Sequence, residues 1–501
     1  MTETILAVDL GTSRLRAALF DRHGQCLAVA ARDYPLKRPV PEAAEQNPLG
    51  WKQAFYATVA EVLKSWSGRE VQGMSLSGQM HGTVLLGGDR QPLRHAIVWC
   101  DQRGADGAIW ILDRVGVSEY GRITGNPLST GFQAATLAWL RQAEPDRYEK
   151  IRHILLPKDY LLYELTGERV SEPTDAVSTG LFDLGLGSDG EMAWSDELLH
   201  LLDLEGDWFP DLAPSLEPGI RLTADVTRKT GLPTGLPVLA FGGDAIMGAT
   251  VALGESEDGD AVALVSSGGQ LLVTRDRPFP QPDRGIHLLP RLEPGRWLSM
   301  AAFLAAGLSL TWLAGCIADF TRREVEIGSL LREAAKAPAG SEGLCFLPHI
   351  AGERTPFLDP QARGAYWGIA STHTLGHFAR AVLEGVAFSF RLGVEVLEKT
   401  GGPIRSITLG GGGAKSPLWR QIFADVLGRE VRTVADVGET SLVGAAFAGA
   451  RVLGWDPSPW IPKTVQVYRP DPSNAESLEA NYRQFLDLAP VLRRIRDSSR
   501  M

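Results

Sequence analysis

Residues 5–20 read Ile5-Leu6-Ala7-Val8-Asp9-Leu10-Gly11-Thr12-Ser13-Arg14-Leu15-Arg16-Ala17-Ala18-Leu19-Phe20. A short apolar run ends on a carboxylate, a turn of small residues follows, and a second apolar run begins at Leu15. The spacing predicts a β-hairpin, with strands over 5–9 and 15–20 and Asp9 at the end of the first strand. The same design returns near the middle of the chain. Residues 261–265 predict a strand, Ser266-Ser267-Gly268-Gly269-Gln270 a turn, and 271–274 a second strand. Two hairpins of one design predict two related domains. Length agrees, because single cores rarely grow past roughly 250–300 residues and this chain has 501. The polar run 254–260 reads as a linker, dividing the chain into domains 1–250 and 251–501.

Helical periodicity fills the space between strands. Residues 51–66 are amphipathic. Residues 375–398 carry Phe378, Ala381, Val382, Gly385, Val386 and Phe388 at helical spacing. Residues 416–427 place Pro417 in a first turn, where a missing N–H costs nothing. Strands alternating with helices predict an α/β class. Residues 297–318 lack any charge and are long enough to cross a bilayer. Ser299, Ser309, Thr311 and the Ala/Gly content favour instead a strand followed by a buried core helix.

The formal net charge is −10, with 44% hydrophobic and 22% charged residues. That is the balance of a soluble globular protein, and without a basic stripe it argues against nucleic acid as a partner. The cluster Arg493-Arg494-Ile495-Arg496 sits beside Asp497 and reads as a solvated helix end. Cys26, Cys100, Cys316 and Cys345 form neither a C-x-x-C pair nor a zinc spacing, which fits reduced thiols in the cytoplasm. Glu3 precedes the first strand with no basic, cleavable leader.

Six segments could carry chemistry. Gly11-Thr12-Ser13 and Ser267-Gly268-Gly269 can aim backbone N–H groups and hydroxyls at phosphate, although each alone also reads as an ordinary tight turn. Gly410-Gly411-Gly412-Gly413-Ala414-Lys415-Ser416 follows a strand and precedes a helix. It is not a P-loop, because Leu409 and Ala414 stand where that pattern needs glycine. A nucleoside lying on the turn would account for its glycines. Asp244, in Phe241-Gly242-Gly243-Asp244-Ala245, is a general base, a metal ligand or a helix cap on this reading. Ser77-Gly78-Gln79-Met80-His81-Gly82 and Trp99-Cys100-Asp101-Gln102-Arg103 offer amide, imidazole, aromatic face and carboxylate. They read equally as a sugar site or as structural loops.

Taken together with Leu156-Pro157-Lys158-Asp159-Tyr160, Gly352-Glu353-Arg354-Thr355-Pro356 and Gly364 to Glu384, these motifs resemble the FGGY carbohydrate kinases. The likeness is strongest to their xylulokinase branch, for which Ser-Gly-Gln-Met-His-Gly is characteristic, and it spans residues 4–450. The resemblance implies two actin-like, ribonuclease-H-like domains around a central cleft. It implies ATP-dependent phosphorylation of D-xylulose to D-xylulose 5-phosphate, with Asp244 as base. Asp9 would position the Mg²⁺ of MgATP. Gly11, Thr12, Ser13, Ser267 and Gly268 would hold phosphates, and Gly412, Gly413 and Ser416 the nucleoside. Gln79, Met80, His81, Trp99, Asp101 and Asp244 would form the sugar site. The implied partners are thus a small sugar and MgATP, without nucleic acid or membrane, and a homodimer is compatible with them. Three departures stand out. Ala245 replaces a usual Asn that contacts the sugar, Thr136 replaces a Lys, and Ser267-Gly268-Gly269-Gln270 replaces Gly-Thr-Ser-Gly. The first leaves other acceptors in view, among them ribulose, erythrulose or a polyol. A non-catalytic actin-like sugar or ATP binder is the alternative from another class.

Overall fold

In the computed structural model, which describes residues 2–65, 69–186, 190–434 and 440–498, every residue from Thr4 to Leu10 is buried. Both faces of this strand are therefore covered, as in the parallel core of an α/β sheet. Strand Thr2–Leu10 pairs antiparallel with Arg14–Asp21, which pairs antiparallel with Cys26–Asp33. On its other side it runs parallel to Arg69–Gly78, which runs parallel to Val238–Gly243. The register sets Leu10 opposite Gly78 and Gly78 opposite Gly243. Three parallel strands therefore end side by side, and the loops that leave them start level. In open α/β sheets this carboxyl end is where ligands are held.

The second unit repeats the plan. Asp260–Val265 pairs antiparallel with Gly269–Arg275 and parallel with Ser406–Gly410, which is parallel to Val431–Val434. Here Leu264 stands opposite Gly410, so the serine turn and the glycine cluster leave neighbouring strands at the same level. Two further strands, Ile286–Pro290 and Trp297–Phe303, extend one edge and Thr464–Tyr468 the other, giving seven strands against five in the first sheet.

The units do not follow a single cut at residue 250. The first comprises Met1–Glu255, Leu289–Trp297 and Asp436–Pro462, and the second Ser256–Leu288, Leu298–Ala435 and Lys463–Met501. The reason lies in helix Thr440–Val452, which packs against Asp244–Leu253 and the first sheet. It comes close because Gly444 and Gly449 have no side chain. A Cβ on Gly444 would stand 1.8 Å from the Met247 carbonyl oxygen, and one on Gly449 2.4 Å from Ser75 Oγ. Nothing local in the sequence announces that this apolar helix completes the earlier unit.

The expected helices form as Pro48–Ser65, Leu375–Gly401 and Pro417–Leu427; Trp66 lies outside the described residues. The stretch 297–318 becomes strand Trp297–Phe303 and helix Gly307–Thr321, but the helix is not wholly buried. Ser309, Leu310, Leu313 and Ala314 face the core while Leu308, Trp312 and Phe320 are exposed. Among the described residues no helix is long and apolar enough to cross a membrane. The Arg493–Arg496 cluster ends helix Ala475–Ser498, where Arg496 bonds both oxygens of Asp359.

Candidate active site

Asp9 and Asp244 come together at the carboxyl edge of the first sheet. Asp9 is the penultimate residue of strand Thr2–Leu10 and almost fully buried; Arg16 approaches its Oδ2 at 3.6 Å across the hairpin. Asp244 opens helix Asp244–Leu253. The cap position belongs to Gly243, whose extended backbone turns strand into helix, so Asp244 is not the cap. Its Oδ1 accepts from the Ala245 N–H at 2.7 Å. Burial, and then the charge of Asp9, push the Asp244 carboxyl up to about 7, against the pull of the Ala245 N–H and its own. A carboxylate in that range is matched to general-base work near neutral pH. No described group of three or more His, Cys, Asp and Glu could hold a metal by itself. The surplus negative field of Asp9 and Asp244 nonetheless suits Mg²⁺, which takes few protein ligands and fills its octahedron with water and phosphate oxygens.

The loop after Gly78 is tied to both neighbours. The Gln79 N–H donates to the Leu10 carbonyl at 2.8 Å, and the Gln79 amide N–H to Gln46 Oε1 at 2.9 Å. The Gln46 amide in turn donates to the Thr12 carbonyl, while Trp99 Nε1 donates to Thr12 Oγ1 at 2.9 Å. The candidate phosphate turn and the candidate sugar loops thus share one hydrogen-bonded frame. Gln79 Oε1 is buried with no protein partner. A buried acceptor left in this state costs about 1–3 kcal/mol until something donates to it. Met80 lies against Gly243; a Cβ there would stand 2.7 Å from its Cγ, so only glycine admits the sulfur chain beside Asp244. His81 has φ 69°, stacks on Phe132 at 4.6 Å between centroids, and its Nδ1 meets the Ser178 carbonyl at 2.9 Å. A carbonyl only accepts, so Nδ1 carries the proton. Trp99 is 46% exposed, an aromatic face open to a ligand.

Asp101 differs from expectation. Its oxygens accept from the Ala44 N–H and from the N–H and guanidinium of Arg103, all within 3.1 Å. That donor set saturates a carboxylate. Asp101 builds the loop and leaves no lone pair for a sugar hydroxyl. Gln46 escaped sequence reading because its spacing to Thr12 and Gln79 exists only in the fold.

In the second unit a cavity of about 710 Å³ is lined by Ser267, Gly412, Gly413 and Ser416, with Leu310, Thr311 and Trp419. Gly268 belongs to the same turn but does not line it. Gly411, at φ 81°, lets the glycine turn ride over strand Asp260–Val265; a Cβ there would meet the Val265 carbonyl at 2.7 Å. Ser416 caps helix Pro417–Leu427, accepting from the Trp419 N–H at 3.3 Å. Nearby, Glu353 accepts from the Leu304 and Arg354 N–H groups, and burial pushes its carboxyl up to about 8.

Two sheets of one plan, a carboxylate pair at the edge of the first and a small-residue cavity in the second are the parts of a phosphotransferase. The chain belongs to the FGGY family of carbohydrate kinases, matching its N-terminal domain over residues 4–251 and its C-terminal domain over 267–453. It is a carbohydrate kinase with that family's two-domain fold. Among its relatives it is 34% identical to the xylulose kinase of Escherichia coli (strain K12), over 88% of each chain. It is 32% identical to the xylulose kinase of Klebsiella pneumoniae, over 97% of this chain and 99% of that one. The solved xylulose kinase from Rhodospirillum rubrum superposes with a TM-score of 0.90 at 31% identity, covering 98% of this chain and 99% of that one.

Proposed function

We propose that this kinase transfers the γ-phosphate of ATP to a hydroxyl of D-xylulose, giving D-xylulose 5-phosphate, with Asp244 as general base. The observation that carries the reading is the carboxylate of Asp244, poised near 7 at the end of three parallel strands and packed against the Met80 loop. The base accepts the hydroxyl proton as the oxygen attacks phosphorus. Gln79 Oε1 takes a hydrogen bond from a sugar hydroxyl, His81 reads another, and Met80 and Trp99 cover apolar faces of the sugar. Within the first unit Gly11, Thr12 and Ser13 are the turn suited to phosphate oxygens; within the second, Ser267 suits phosphate and Gly412, Gly413 and Ser416 the nucleoside. Asp9 is the protein group for Mg²⁺, which neutralises charge on the phosphates when bound. The names of the relatives support the choice of sugar.

A second reading, another small ketose or polyol, is favoured by one feature: Ala245 offers no amide to the acceptor. Coupled ADP-release kinetics on D-xylulose, D-ribulose, L-ribulose, L-xylulose and erythrulose separate the two. D-xylulose should give the highest kcat/KM, and its failure beside turnover of another sugar would sink the xylulose assignment. His81→Ala should cost about 5- to 150-fold in kcat/KM on the best sugar, the loss of one buried hydrogen bond.

A further inference from the structure

Behind the two loops lies a buried charge cluster that the proposed reaction does not use. Lys158 on helix Pro157–Thr166, Asp159, Glu172 and Asp175 are each at most 1% exposed. Lys158 Nζ is bonded to Asp159, lies 3.5 Å from Asp175 Oδ2 and 3.7 Å from Glu172 Oε1, and sits 4.8 Å above the Phe241 ring. Burial opposes the ammonium charge, yet the three carboxylates hold it above its ordinary value; burial likewise raises Glu172 and Asp175 against the pull of Lys158. Such a cluster is poor value for stability alone, since well-packed apolar groups of the same volume often do as well.

What the cluster does have is two arms. In one, Asp175 Oδ1 accepts from Ser178 Oγ at 3.0 Å, and Ser178 Oγ accepts from the His81 N–H at 3.1 Å. That arm holds His81 at its positive φ, and the Ser178 carbonyl fixes its ring. In the other, Glu172 Oε1 accepts from Thr174 Oγ1 at 2.9 Å, and Thr174 Oγ1 accepts from the Gly243 N–H at 3.3 Å. That arm holds the residue before Asp244. Glu172 itself is pinned by the Thr174 and Asp175 N–H groups and by Ser215 Oγ.

We infer that Lys158, with Asp159, Glu172 and Asp175, is a positioning hub that holds the His81 loop and the Asp244 loop in register, Ser178 and Thr174 being its two outputs. The inference rests on the proposed roles of Asp244 and of residues 79–81. Ser178→Ala cuts one output and Thr174→Val the other, and melting curves check that both variants fold. On the best sugar of the panel, Ser178→Ala should raise the sugar KM about 5- to 30-fold with kcat within about twofold. Thr174→Val should lower kcat by a similar factor and leave the sugar KM within about twofold. The ATP KM should move in neither. Lys158→Met should show both defects; if it does not fold, the two outputs decide. Parallel losses of kcat and KM in both single variants, or no loss, overturn the hub. Histidine-selective ¹⁵N NMR reads one arm without turnover. The His81 backbone amide, which donates to Ser178 Oγ, should change its chemical shift in Ser178→Ala, and identical spectra overturn the arm. A wild type that phosphorylates no sugar while that spectral change persists would sink the proposed function and leave the hub standing.

Discussion

At the scale of the residue, Asp244 is the proposed general base. General-base help is worth about 10²–10⁴-fold, so Asp244→Asn should lose kcat in that range with ATP affinity kept; retention of a tenth of kcat would rule it out as the base. Because the base must be ionised and its carboxyl sits near 7, wild-type kcat/KM should rise with pH to a plateau above 7. The same shift bears on stability with a definite sign. A carboxyl raised in the folded state stabilises the fold below its unfolded value near 3.9 and loses that contribution as pH climbs through 7. The loss is at most about 4 kcal/mol for three pH units. Asp244→Asn escapes it, so the variant should melt higher than the wild type at pH 8 and not at pH 4. An unchanged difference between the two pH values would mean that Asp244 is not raised. Ala245, the next residue, lacks the amide that the resemblance leads one to expect. Ala245→Asn should therefore lower the KM for D-xylulose several-fold, and an unchanged KM would free that position from sugar recognition.

At the scale of the element, each site depends on how a strand ends. Gly243 turns Val238–Gly243 into the Asp244 helix, and Gly411 turns Ser406–Gly410 over its neighbour. Gly411→Ala would set a Cβ 2.7 Å from the Val265 carbonyl at φ 81° and ψ −177°, a region essentially confined to glycine that costs an L-residue about 1–3 kcal/mol before any clash. It should raise the ATP KM tenfold or more and lower the Tm by several degrees, while the sugar KM holds. Gly412→Ala meets nothing within 4 Å and should leave the Tm alone, which separates backbone strain from loss of glycine as such. An ATP KM untouched by Gly411→Ala would remove this cavity as the nucleotide site.

At the scale of the whole molecule, the order of the chain and the order of the folded units differ. Helix Thr440–Val452 covers the first sheet although it lies far beyond residue 250. A fragment 1–250 lacks that cover and leaves buried residues such as Met247 and Ile5 beside open solvent. It should aggregate or bind apolar dyes, and adding residues 440–462 in trans should reduce the dye signal. A monomeric 1–250 fragment with a cooperative melt would show that the first unit does not need the helix.

The sequence by itself determined the α/β class, the duplicated hairpin, the strand-end carboxylates and the loops rich in small residues, because these rest on periodicity and turn chemistry confined to a few neighbouring positions. Its resemblance to the FGGY kinases reached further, since that rests on motifs scattered along the chain. Tertiary structure alone decided the rest. Asp101 is spent on Arg103 and Ala44, and Gln46 bridges Thr12 and Gln79. Lys158 collects carboxylates from residues 159, 172 and 175. Helix Thr440–Val452 closes a unit begun at the other end of the chain. Each of these depends on side chains brought into contact from distant segments. What a buried polar group bonds to, and therefore what it has left for a ligand, is fixed by packing rather than by the order of residues.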